Sequence, residues 1–141
     1  MSEIQDLARE YGDGKYRSVE RDLEAFVSRY REEILGYRDV LARRHPTVTD
    51  ESAIKLYIQR IKTLNPAAEI RDQIDEIRAE CWIRGEKQGG PVSLEEVARD
   101  WARCYSPGWR DHRVLVIVYC VERIKDRLLP LLANPQAATP R

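Results

Sequence analysis

Three features of the sequence predict an all-α fold. Apolar side chains recur at steps of three or four along most of its 141 residues, the longest such stripe shows no strict apolar–polar alternation, and helix-start signals stand at Thr49/Asp50, Asn65-Pro66 and Ser93. The expectation is an elongated bundle of about five helices with the last long helix central. It occupies a single domain over residues 1–134, followed by a flexible C-terminal tail at 135–141.

The first helix is expected over residues 15–44, where Tyr16, Val19, Leu23, Phe26, Tyr30, Ile34, Tyr37 and Leu41 form one stripe. Pro46 stops it, and Arg43, Arg44 and His45 complement the negative end of the helix dipole. Such a helix is about 45 Å long, against a radius of gyration of about 14 Å for a compact globule of this size. Elongation follows unless Gly36 breaks the helix.

A second helix, capped by Thr49 or Asp50, carries Ile54, Tyr57, Ile58, Ile61 and Leu64 on its apolar face. Asn65 caps a third and Pro66 suits its first turn. Its stripe is Ile70, Ile74, Ile77 and Cys81, widened by Trp82 and Ile83, and it ends at Gly85 or at Gly89-Gly90. Ser93 with Glu96 forms a capping box, and Val92 with Val97 occupies the positions of a hydrophobic staple. The fourth helix then buries Leu94, Val97, Trp101 and Cys104 and breaks at Ser106-Pro107-Gly108. The octet Val114–Val121 is rich enough in β-branched residues for a strand. However, Val114, Ile117, Val121, Ile124 and Leu128 keep helical spacing through Glu122–Arg127, so one long helix is expected, kinked or ended by Pro130.

Lys plus Arg and Asp plus Glu both number 24. The balance leaves no net field to steer the protein to nucleic acid or anionic lipid. The longest uncharged apolar run, Val114–Val121, is far too short for a membrane span. Three cysteines without close spacing suit a reducing compartment, and a cytoplasmic location is expected.

The motifs on which many enzymes depend are absent: phosphate loop, nucleophile elbow, His-Glu-x-x-His, Cys-x-x-Cys and calcium loop. A di-metal bundle needs Glu three residues before each histidine, whereas Ala42 and Trp109 precede His45 and His112. Asp72, Asp75, Glu76 and Glu80 read as a solvated helix face, so neither metal nor cofactor is expected. Arg38 and His45 are explained by the helix terminus they share. A DNA-reading helix must expose polar side chains, and Val114–Val121 has none to offer.

One constellation remains: Arg103, Tyr105, Trp109, Arg110, His112 and Arg113, gathered around the break expected before the last helix. Free amides at a helix start, guanidinium groups and a stacking ring together suit an anionic, phosphorylated or nucleotide-like ligand. A competing structural account has Trp109 packing between helices and the arginines paired with Asp100 or with acids of the third helix. Trp82, Arg84 and Glu86 are candidates for a neighbouring pocket. Tyr16, Tyr30 and Tyr37 on the first stripe, with the over-apolar last helix, point to self-association. The overall expectation is a non-catalytic interaction or regulatory module that forms a homodimer and takes a protein partner.

Overall fold

The computed structural model describes residues 3–133, and all regular structure among them is helical. In chain order the helices are α1 (Glu3–Gly12), α2 (Arg17–Arg29), α3 (Arg31–Ala42), α4 (Asp50–Ile61), α5 (Pro66–Gln88), α6 (Leu94–Asp100) and α7 (Ser106–Ala133). A π-helical segment, Trp101–Tyr105, joins α6 to α7 without interruption. With that run counted once, the described residues form six helices instead of about five. The tail expected at 135–141 lies outside the described residues. No described helix is long and apolar enough to cross a membrane. The chain divides into two compact units, one from Met1–Leu64 with Val114–Arg141 and one from Asn65–Arg113.

In the first unit the octet Val114–Val121 is helical, with Val116, Ile117, Cys120 and Val121 buried. Ile124, Leu128 and Leu132 continue the same buried stripe, although Ile124 itself leaves helical geometry and kinks α7 six residues before Pro130. Around this stripe pack Tyr16, Val19, Leu23, Phe26 and Val27 of the α2 region, Ile34 of α3, and Ile54 and Ile58 of α4. The first stripe is thus a core face as far as Ile34, but it belongs to two helices. The break falls at Tyr30, with φ −103° and ψ 24°, not at Gly36. Tyr30 donates its amide to Phe26 and accepts from Ile34, so one helix is closed and the next opened on a single residue. Arg31, immediately after the break, donates Nε to the Leu132 carbonyl at 2.6 Å.

Helix α1 had no sequence signal strong enough to assign it, yet Leu7 is buried in this core. It turns into α2 through Gly14, whose φ of +78° is left-handed and whose missing Cβ would lie 3.0 Å from Arg17 Nε. Replacing Gly14 by Ala is therefore expected to lower stability by about 1–2 kcal/mol, measured by urea unfolding.

The second unit starts as its sequence predicts. Asn65 accepts from the Ala68 amide, Pro66 occupies the first turn, and Gly89, at φ +74°, closes α5. Ser93 accepts from the Glu96 amide and Val97 is buried beneath it. The expected break at Ser106-Pro107-Gly108 does not occur. Proline removes an amide donor and crowds the carbonyl four residues back, here that of Arg103. Ser106 instead donates to Trp101, five residues back, so the spiral widens just before the ring and the helix passes through.

Candidate functional site

Residues four apart in an α-helix drift about 40° around the axis at each step. Trp101, Tyr105 and Trp109 would fan out accordingly. The wider π turn offsets part of that drift, and all three residues line one cavity. Trp101 is buried, Trp109 partly buried and Tyr105 half exposed; the two indoles meet edge to face with centroids 6.1 Å apart. These rings, with Cys104 and Gly108, form one wall of a cavity of about 410 Å³. The opposite wall is the face of α5 that carries Glu76, Ala79, Glu80 and Ile83.

Arg84 straps the two walls together. Its Nε lies 3.1 Å from Glu80 Oε1 and its Nη1 2.9 Å from Asp100 Oδ2, while Arg103 reaches the other Asp100 oxygen at 3.3 Å. The hydrogen bond from Arg84 holds the Asp100 carboxyl below its ordinary value of 3.8, and Asp100 and Glu80 raise that of Arg84. A depressed carboxylate stabilises the fold fully above its unfolded pKa and ceases to do so as pH falls through the folded value. The protection of α6 amides against hydrogen exchange is therefore expected to weaken below about pH 3.8, and Asp100→Asn should abolish that pH dependence.

Of the six residues expected to hold an anion, only Tyr105 and Trp109 line this cavity. Arg103 is spent on Asp100. Arg113 pairs with Asp72 of α5 at 2.9 Å and lies 5.7 Å from the Trp109 centroid. Arg110 and His112 are exposed. Pairing of the arginines with Asp100 and an acid of α5 is what the structural account expected. The argument from free amides at a helix start does not apply, because the helix runs unbroken through 101–109. The charged groups of the cavity are carboxylates, the reverse of the expected sign.

Sequence reasoning missed Glu76, Glu80, Ile83, Trp101 and Cys104 as neighbours of this site. The regular four-residue spacing of three aromatic residues was the available signal. Trp82 and Glu86 do line a separate cavity of about 370 Å³ with Gly85, Gly89, Gly90 and Pro91, but Arg84 does not.

The first unit has its own cavity, of about 330 Å³, lined by Tyr11, Arg17, Glu20, Arg123, Ile124, Asp126 and Arg127. Its charges largely satisfy one another. The buried Glu20 carboxylate accepts from the Tyr11 hydroxyl at 2.5 Å and pairs with Arg127 at 3.4 Å, and Arg123 lies over the Tyr11 ring. The hydrogen bond to Glu20, then burial, raises the Tyr11 pKa above its ordinary 10.0. A phenol with a raised folded pKa stabilises the fold below the unfolded value and loses that contribution as pH rises through the folded one. Stability is thus expected to fall as pH rises above about 10, and to fall less steeply in Tyr11→Phe, which has no phenol to ionise.

Among the described residues, no group of three or more His, Cys, Asp or Glu side chains is placed to hold a metal ion. Comparison with known proteins gives no match: no family model, no curated protein and no solved structure is significantly similar to this chain.

Proposed function

We propose that this protein is a helical interaction module that self-associates through the open apolar face of α5. The observation that carries the reading is where the exposed hydrophobic side chains lie. Among the described residues nine large hydrophobic side chains are exposed, and six of them, Ile70, Ile74, Trp82, Ile83, Leu94 and Tyr105, belong to the smaller unit. Ile70 and Leu94 are each 59% exposed and Trp82 69%. Scattered apolar residues are ordinary on a surface, whereas Ile70 and Ile74 share one open face of α5, away from Ile83 and Tyr105, which line the cavity.

Its spacing suggests a second copy as the occupant. Ile70, Ile74, Ile77 and Cys81 follow one another at steps of four, three and four, the alternation by which paired helices keep a seam facing each other. Ile77 and Cys81 are partly buried and Ile70 and Ile74 open, so the seam offers its first half to a partner. The absence of enzyme motifs from the sequence supports a non-catalytic role, and regulation of a further protein partner belongs to the same reading.

Size-exclusion chromatography with light scattering tests it. The expected mass at high concentration is twice 16.5 kDa. Ile74→Glu should weaken association at least about tenfold, the equivalent of losing roughly 1.5–3 kcal/mol of buried side chain, and leave the helical content unchanged. A mass that stays at 16.5 kDa into the millimolar range overturns the proposal.

A further inference from the structure

Beyond self-association, the geometry points to a ligand site: we propose that the cavity walled by Trp101, Tyr105 and Trp109 binds an alkylated ammonium cation. Aromatic faces carry negative quadrupole density, and the indole is the strongest such acceptor among side chains. Here two indoles and a phenol line one cavity together with Glu76 and Glu80 of α5, the two indoles meeting edge to face. The volume of about 410 Å³ lies within the range of small-ligand sites.

The charge count favours a cation. The only formally charged side chains lining the cavity are those two carboxylates. The three nearby arginines each have a carboxylate of their own: Arg84 binds Glu80 and Asp100, Arg103 binds Asp100, and Arg113 binds Asp72. Glu80 is thereby half neutralised. Glu76 is exposed and makes no salt bridge with a described residue, so it supplies the field. Arg113 already holds one face of the Trp109 ring, 5.7 Å from its centroid, so a ligand has the rest of the wall.

Alkylation of the ligand matters for a physical reason. A bare ammonium is strongly hydrated and loses that water at a high cost. Methyl groups spread the charge over a larger, weakly hydrated surface that packs on aromatic rings. A trimethylammonium group has two natural sources, a free small molecule such as choline or a methylated lysine side chain on a protein.

Tryptophan fluorescence separates the outcomes. The chain has three tryptophans, so Trp82→Phe leaves only Trp101 and Trp109, both in the cavity wall. Titration at constant ionic strength with choline, its neutral isostere 3,3-dimethylbutanol and a trimethyllysine peptide is expected to give saturable quenching by both cations. The isostere should bind at least about tenfold more weakly. Glu76→Gln, at an exposed position that the fold does not need, should weaken choline about threefold. Trp109→Ala should weaken it about tenfold or more while Trp109→Phe retains most of the binding. A peptide that binds more tightly than choline assigns a protein source, and one that binds no more tightly assigns a small molecule. Equal affinity for choline and the isostere, or no saturation by either cation in the millimolar range, overturns the proposal. Because the readout is fluorescence of the monomeric or associated protein alike, its failure is distinct from failure of the dimer.

Discussion

Ile117→Ala is expected to lower the unfolding free energy by about 2–5 kcal/mol, while Ile70→Ala, measured in dilute solution, changes it by less than about 0.5 kcal/mol. Both residues are isoleucines on the apolar stripe of a long helix, and the periodicity of the sequence gives them equal standing. The structure separates them. Ile117 is completely buried beside Val121 and among side chains of the first unit, so truncation removes transferred apolar surface and leaves a cavity. Ile70 already stands in water. Alanine there gives up little contact and gains slightly in helix propensity. Urea denaturation followed by tyrosine fluorescence reports the first unit, which holds every tyrosine except Tyr105, and tryptophan fluorescence reports the second, which holds all three tryptophans and Ile70. If Ile70→Ala proved as damaging as Ile117→Ala at low concentration, the exposed face of α5 would be wrong, and with it the surface proposed for association.

Trp101→Ala is expected to unfold the smaller unit and leave the larger one folded. Deleting a buried indole removes about 3–5 kcal/mol. The smaller unit has little else to lose, since Ala68 and Val97 are the only other apolar residues buried in it. Small units bury too little surface to tolerate such a loss. The strap from Arg84 to Glu80 and Asp100 is partly exposed and contributes little by comparison. Hydrogen exchange should show amides of α5 and α6 losing protection while those of Val116–Leu132 keep theirs. Loss of protection in both units at once would mean that the division into separately stable parts is mistaken.

Much of the architecture was legible in the sequence because helix ends have a chemical signature. Thr49, Asn65 and Ser93 cap the helices they were expected to cap, and Gly89 ends α5. The stripe faces a core from Tyr16 to Ile34, though not at Tyr37 and Leu41, and the octet before Glu122 coils, since its continuation through charged residues kept a helical period. Three things were not legible. Helix α1 offers one buried leucine, too little for periodicity to register. Tyr30 breaks a helix through backbone angles that tyrosine does not advertise, whereas Gly36, the residue that does, sits inside α3 without effect. Ser106-Pro107-Gly108 reads as a loop by composition, but one wide turn absorbs the proline.

The candidate site suffered from the last of these. A break at Ser106 implied free amides and converging arginines, hence an anion. A continuous helix instead puts Trp101, Tyr105 and Trp109 into one cavity with Glu76 and Glu80 of α5, carboxylates that composition had classed as a solvated face. Periodicity says which side chains share a face but not what stands opposite. For Ile70 and Ile74 the same gap ran the other way: the stripe was read correctly and its covering was not there.

The larger unit is assembled from the two ends of the chain, with Arg31 and Leu132 hydrogen-bonded across a separation of 101 residues. On the ribosome, helices α1 to α4 emerge first, with Leu23, Phe26 and Ile54 bare until the closing strip of α7 follows. At about 5–20 residues per second the wait is of order ten seconds. Nascent chains stalled before residue 116 should accordingly be the form that chaperones hold and proteases cut.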